Sequence, residues 1–342
     1  MSIEDRARGA LLGLAIGDAL GMPTQNLPRE IIAERYGVLD TFVDAPDDNV
    51  ISRGQPAGRV TDDTDQAVIL GRLLVEGNGT VDQLRFAQEL MAWHKRMVAL
   101  GSADLLGPST LRALNLLDQG VPVEETGRWG DTNGAAMRIA PAGIAFPPDP
   151  IAQLVNRVAS AGRVTHNTGV AIAGAAAVAA AVSAGVDGAD LGQALDLAVD
   201  AAALGARLGN YVAAAEVAAR ITWARELVAK RAPEHALDLI YRLVGTGVAT
   251  QEAVPAALAI CSLFRTDPFA VTRYAASLGG DCDTVAAIAG AVAGATSGAA
   301  AFPADIVARL VEANPDLHLN SLADQLLQVR EAVRDAVRES GK

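Results

Sequence analysis

Cysteine is nearly absent from this 342-residue chain, occurring only as Cys261 and Cys282. Two thiols cannot build a disulfide framework, and neither lies in a CxxC pattern that would mark a zinc or redox site. That usage suits a cytoplasmic protein. Lysine is almost as rare, confined to Lys95, Lys230 and Lys342, and the formal net charge is −12. With no basic run to follow a phosphate backbone, nucleic acid is excluded as a partner. The N-terminus carries Glu4, Asp5, Arg6 and Arg8 in place of a basic-then-apolar leader, so no secretory or transit segment is expected. The longest apolar run, Val170 to Ala184, is mostly alanine and short for a bilayer span. It reads as a buried helix, and no membrane role follows.

Strand signals are also scarce, with one possible short strand at Leu39 to Val43. Nearly every other segment has helical periodicity, and 51% apolar residues are ample for a substantial core. The expectation is an all-α fold formed by one domain over residues 1–342. In residues 80–98, Leu84, Ala87, Leu90, Met91, His94 and Val98 recur at steps of three and four, which makes His94 a core-edge residue. Residues 9–21, 169–185 and 285–301 are dominated by Gly and Ala. Small side chains let helix axes approach closely, so these segments should be the central helices. Loops are expected at Asp44 to Arg59, Gly120 to Asp131 and Asn314 to Asn320, and the first two should rim a site.

Acidity concentrates in two short segments: Thr61-Asp62-Asp63-Thr64-Asp65, and Asp281-Cys282-Asp283-Thr284 after Gly279-Gly280. Either could simply cap a helix. Capping needs one side chain, however, whereas five carboxylates crowd two helix starts that lead into buried helices. Unshielded, they would repel one another or have raised pKa values. A hard divalent cation removes the conflict, since carboxylate and hydroxyl oxygens suit Mg²⁺ or Mn²⁺. If the two starts converge, about six oxygens are available for a two-metal site, which can polarise a ribose oxygen and generate a hydroxide nucleophile near neutral pH.

Five blocks, Gly13-Leu-Ala-Ile-Gly-Asp-Ala-Leu-Gly21, Thr61-Asp-Asp-Thr64, Asn133-Gly-Ala-Ala-Met-Arg138, Thr165-His-Asn167 and Gly279-Gly-Asp-Cys-Asp-Thr-Val-Ala-Ala-Ile-Ala-Gly290, stand in an order and spacing that resemble the ADP-ribosylglycohydrolase family. The match runs from about residue 7 to residue 303. The resemblance implies an orthogonal all-α bundle with a binuclear Mg²⁺ or Mn²⁺ centre at the base of a cleft. It implies metal ligands at Thr61, Asp62, Asp63, Asp281, Asp283 and Thr284, with Asp62 and Asp63 also catalytic. Trp129, Gly130, Asp131, Thr132, Asn133 and Gly134 would approach the phosphates or distal ribose, where backbone N–H groups can bind an anion without lysine. His166 would line the substrate cleft.

Many relatives carry a glutamate where this chain has Gln25, which cannot act as a general base. Gln25 either keeps a hydrogen-bonding role at the catalytic centre or belongs to a branch with a different substrate. Cys282, commonly threonine in relatives, lies between two ligand positions and should leave them intact. The first expected function is hydrolysis of an N-ribosidic bond in an ADP-ribosylated protein or ADP-ribose derivative. A second is hydrolysis of a small nucleoside-like N-riboside. A third, a catalytically silent binding protein, fits poorly with so many retained aspartates.

Overall fold

The computed structural model describes residues 1–102 and 106–340, so Lys342 lies outside it. The described residues form α-helices joined by loops, with no strand and two isolated bridges, Thr132 to Ala249 and Thr168 to Asn210. The strand read at Leu39 to Val43 is therefore a misreading. Its backbone is satisfied by side chains instead of a neighbouring strand. Leu39 N donates to Ser277 Oγ, Arg273 donates to Leu39 O, and Arg309 donates to Phe42 O.

The helices that build the centre are α1 (Ile3–Gly21), α2 (Asp62–Glu76), α3 (Gln83–Ala99), α4 (Gly169–Val186) and α5 (Cys282–Ser297). The three Gly/Ala segments supply α1, α4 and α5, as their small side chains suggest. Helices α1 and α5 run antiparallel with their backbones in contact. Gly9, Gly13 and Gly17 recur every fourth residue on α1 and face Gly294, Gly290 and Ala286 of α5. A Cβ added to Gly13 would lie 2.1 Å from Gly290 O, and one added to Gly290 would lie 2.0 Å from Gly13 O. No flexible side chain is there to give way. Gly13→Ala should accordingly lower stability by about 3 kcal/mol, the upper end for overpacking. Thermal or denaturant unfolding checks this, and a loss below about 1 kcal/mol would contradict backbone contact.

Helix α4 is long and apolar enough on length and composition to cross a membrane, which the sequence reading had not granted it, yet 94% of it is buried inside the protein. It is a core helix. On α3 the buried face is turned from the one the periodicity suggested. Phe86, Ala87, Leu90 and Trp93 are buried, whereas Leu84 and Val98 are exposed. The indole N–H of Trp93 donates to Asp65 at 2.8 Å, which draws that face toward the start of α2. His94 is half-buried at the edge of the core. The segment Asp44 to Arg59 is a loop, but residues 120–131 contain the single turn Val123–Thr126, and the last helix begins at Leu319.

Candidate active site

The α1–α5 crossing sets the floor of the site. A Cβ on Gly21, at the end of α1, would lie 2.3 Å from Asp283 Cα in the first turn of α5, so the two helix ends meet there. One turn earlier on α1, the buried Asp18 carboxylate accepts from Thr61 N at 3.0 Å and Thr64 N at 3.1 Å, as well as from the Thr64 hydroxyl. Asp18 thus caps the start of α2 from outside, and Thr61 Oγ accepts from Asp63 N. Asp281, at the start of α5, makes no side-chain capping bond. Capping is therefore met by Asp18 and Thr61, and it does not explain Asp62, Asp63 or Asp281.

The turn before α5 explains Gly279-Gly280. Both have positive φ, +94° and +72°, in the region that favours glycine. Gly280 N donates to Leu27 O and Asn26 N donates to Gly280 O, which ties this turn to the segment carrying Gln25. Asp281 N donates to Thr246 O at 2.7 Å. The Asp44 to Arg59 loop grips the other side of that segment, since Asn49 donates to Gln25 O at 3.0 Å.

A cavity of about 250 Å³ opens over this floor, lined by Gln25, Asp62, Thr132, Asn133, Gly134, Asp281, Asp283 and Thr284, together with Ile51, Met137 and Val248. Asp63 lies just beneath, buried, with Oδ2 accepting from Thr61 Oγ at 3.2 Å and Thr284 Oγ at 3.4 Å. Both acidic segments therefore reach one place. Asp62 accepts from Gln66 at 2.7 Å, and Asn133 donates to Asp281 at 2.5 Å. The rest of the expected substrate loop stands further back. Trp129 is 51% exposed, Asp131 is exposed, and neither lines the cavity. Gly130 is buried, and a Cβ on it would lie 2.0 Å from Thr165 O, so tight packing accounts for the glycine. His166 is buried behind the Thr132–Gly134 turn, with Nε2 3.1 Å from Thr132 Oγ and Nδ1 2.8 Å from Thr165 Oγ. Burial, and then the charge of Arg138, hold its pKa well below the usual histidine value, so the ring is neutral. A larger cavity of about 730 Å³, between the start of α1 and residues 299–321, contains none of these residues.

Three members of the site were not singled out from sequence: Asp18, Gln66 and Arg138. Arg138 is fully buried and donates to Gln66 Oε1 at 2.7 Å and to Thr165 Oγ, with its guanidinium 5.1 Å over the Phe86 ring. A hydrogen-bonded chain thus runs from Asp62 through Gln66 and Arg138 to Thr165, His166 and Thr132. The sequence signal for Asp18 was a lone charge inside a Gly/Ala/Leu helix, and for Arg138 a lone charge in an apolar run.

Among the described residues, no three His, Cys, Asp or Glu side chains are already arranged around a common metal position. The donor set nonetheless fits a hard divalent cation. Every candidate donor is a carboxylate or hydroxyl oxygen, and Asp63 Oδ1 is buried with no hydrogen-bond partner. Burial pushes Asp63 well above the ordinary carboxylate range, and Asp18, Asp62 and Asp281 push it further. Burial raises Asp281 too, against the hydrogen bond from Asn133. It pushes Asp18 up to about 6, against the hydrogen bonds from Thr64 and Thr61. The folded state thus holds the Asp18 proton more tightly than the unfolded chain. Stability from Asp18 is complete below the ordinary carboxylate pKa and is lost as pH rises through about 6. In EDTA, this loss should leave the protein more stable at about pH 5 than at about pH 8. Saturating Mg²⁺ should shrink the difference, and melts that are flat over this range in EDTA would contradict the coupling.

An all-helical frame that gathers acidic side chains under a small cleft defines the class, a helical protein with an acidic cleft. The family model for ADP-ribosylglycohydrolase matches residues 1–336, and the chain belongs to that family. It is an enzyme, a glycosidic hydrolase of the ADP-ribosylglycohydrolase type. It is 35% identical over 97% of its length to the "Uncharacterized protein YegU" of Escherichia coli (strain K12), covering 99% of that protein. It is also 35% identical to the ADP-ribosyl-[dinitrogen reductase] glycohydrolase of Rhodospirillum rubrum, over 48% of this chain and 53% of the relative. A solved structure described as an ADP-ribosylglycohydrolase-related protein complex superposes with a TM-score of 0.66 at 27% identity, covering 96% of this chain and 99% of that one.

Proposed function

We propose that the whole chain forms one divalent-metal-dependent hydrolase unit that cleaves an N-glycosidic bond to ribose, with ADP-ribose linked to a protein or small molecule as the first target class. The observation that carries this reading is the meeting of Asp62, Asp281, Asp283 and Thr284 on one cavity floor, with Asp63 hydrogen-bonded to Thr284 just beneath. Thr61, Asp62, Asp63, Asp281, Asp283 and Thr284 would hold two Mg²⁺ or Mn²⁺ ions. Such ions polarise oxygen and make water a nucleophile near neutral pH. Asn133 holds Asp281 by a direct hydrogen bond, and Gln66 holds Asp62. Asp62 and Asp63 would take a proton at the floor. Val248, Ile51 and Met137 give the cavity part of its apolar lining. The two free, buried cysteines suit a cytoplasmic enzyme.

A second reading, cleavage of a small nucleoside-like N-riboside, is favoured by the cavity lining. It has no Lys, Arg or His among the described residues to meet a diphosphate, and its volume of about 250 Å³ is small. Product analysis with Mg²⁺ or Mn²⁺ on ADP-ribosyl-arginine, ADP-ribosyl-serine, O-acetyl-ADP-ribose and simple nucleosides tests both readings. Release of free ribose or ADP-ribose is the expected result. No hydrolysis of any of them, together with no binding of either cation, would leave the silent-binder reading in its place.

A further inference from the structure

Gln25 is 4% exposed, it lines the cavity, and its Nε2 has no hydrogen-bond partner within the protein. A buried amide donor left unpaired destabilises the fold unless something in the cleft accepts from it. The nearby acidic floor does not satisfy it. Asp62 is engaged with Gln66 and Asp281 with Asn133.

We infer that Gln25 makes this cleft select a neutral leaving group that presents a carbonyl oxygen, as a nucleobase does, over the cationic guanidinium of an arginine adduct. The inference rests on the N-ribosidic reading above. The guanidinium of an arginine adduct has N–H donors and no acceptor, so it would leave the Gln25 Nε2 donor unpaired. A base carbonyl supplies the missing acceptor. The space agrees, since about 250 Å³ falls below the roughly 300–1,000 Å³ of pockets for drug-sized ligands. That room suits one ribose and one base better than a dinucleotide-sized molecule buried whole.

The role follows from the bond changes. Water oxygen bonds to the anomeric carbon of ribose while the bond from that carbon to the base nitrogen breaks. The bonding pair moves onto the base, and the proton from water ends on its nitrogen. As the bond lengthens, negative charge grows on the base carbonyl oxygen, so an N–H from Gln25 strengthens toward the transition state. Loss of that donor should appear in kcat more than in KM.

The test compares wild type, Gln25→Met and Gln25→Glu on uridine, inosine and ADP-ribosyl-arginine, with uracil and hypoxanthine binding measured by calorimetry in EDTA. The expected result is that a nucleoside is the better substrate for wild type, that Gln25→Met loses about 100-fold in nucleoside kcat, and that KM and free-base binding change far less. Gln25→Met is close in shape, and a thermal midpoint near wild type shows that it folds. If it melts early, Gln25→Glu carries the comparison, and a shift of preference toward ADP-ribosyl-arginine supports the inference. Equal losses on both substrate classes, or wild-type preference for ADP-ribosyl-arginine, would overturn it and leave the N-ribosidic reading standing. Failure to hydrolyse any N-riboside would overturn both.

Discussion

Replacing Asp283 with asparagine should abolish turnover and weaken Mg²⁺ or Mn²⁺ binding by at least about 100-fold, with no loss of stability in EDTA. Asp283 is buried in the first turn of α5, lines the cavity, and belongs to the segment whose Thr284 reaches Asp63. Asparagine keeps the shape and one carbonyl oxygen, so the Gly21 contact that seats α5 is retained. Asp283 is hydrogen-bonded to Asp281 within this buried group of acids, and the asparagine amide can donate to that carboxylate in its place, so the fold should hold when no cation is bound. The same substitution at Asp281 is a less clean test, because Asp281 also anchors Asn133. Calorimetric titration with Mn²⁺, melts in EDTA and product analysis separate these effects. Unchanged turnover in Asp283→Asn would remove the metal from the mechanism. A large loss of stability in EDTA would mean that the carboxylate holds the fold together.

The parts of this site that were legible in sequence are those encoded locally. Thr61 to Asp65 and Asp281 to Thr284 sit at helix starts, and a helix start is readable from a few adjacent residues. The Gly/Ala segments announced close packing because small side chains permit little else, and the Gly13–Gly290 contact is its result. What stayed hidden depends on residues far apart in the chain. Asp18 lies 43 residues from the Thr61 N–H it accepts from, and no local pattern reveals that a helix is capped from another helix. The α3 face was misjudged because the Trp93 to Asp65 hydrogen bond outweighs periodicity. The substrate loop was read as one unit. Its second half, Thr132 to Gly134, lines the cavity, while Gly130 packs on Thr165 and Trp129 points to solvent. A glycine demanded by packing and a glycine demanded by a ligand look the same in sequence.

Arg138 should prove the most sensitive position outside the acidic floor. Arg330, the other large buried arginine, forms an ion pair with Asp187 at 2.7 Å, whereas Arg138 has no ion-pair partner among the described residues. Burial lowers its pKa to about 10, against the attraction of Asp62, so it remains charged at neutral pH. Its charge is balanced at one remove, through Gln66, by the Asp62 carboxylate. Arg138→Met should lower stability by about 3 kcal/mol, because Gln66 Oε1 and Thr165 Oγ lose a buried donor. The same change should reduce Mn²⁺ affinity by about 10–100-fold, the usual effect of losing a group that orients a ligand. Gln66→Met breaks only the Asp62 side of the chain. It should reproduce the fall in Mn²⁺ affinity while leaving the Arg138 contact with Thr165, and most of the stability, in place. Arg330→Met should destabilise the protein and leave the Mn²⁺ affinity of the remaining folded fraction unchanged. If all three variants shift Mn²⁺ affinity alike, Arg138 is only a packing residue. If Gln66→Met leaves Mn²⁺ affinity and kcat at the wild-type level, the chain from Asp62 to Arg138 does not position the acidic floor.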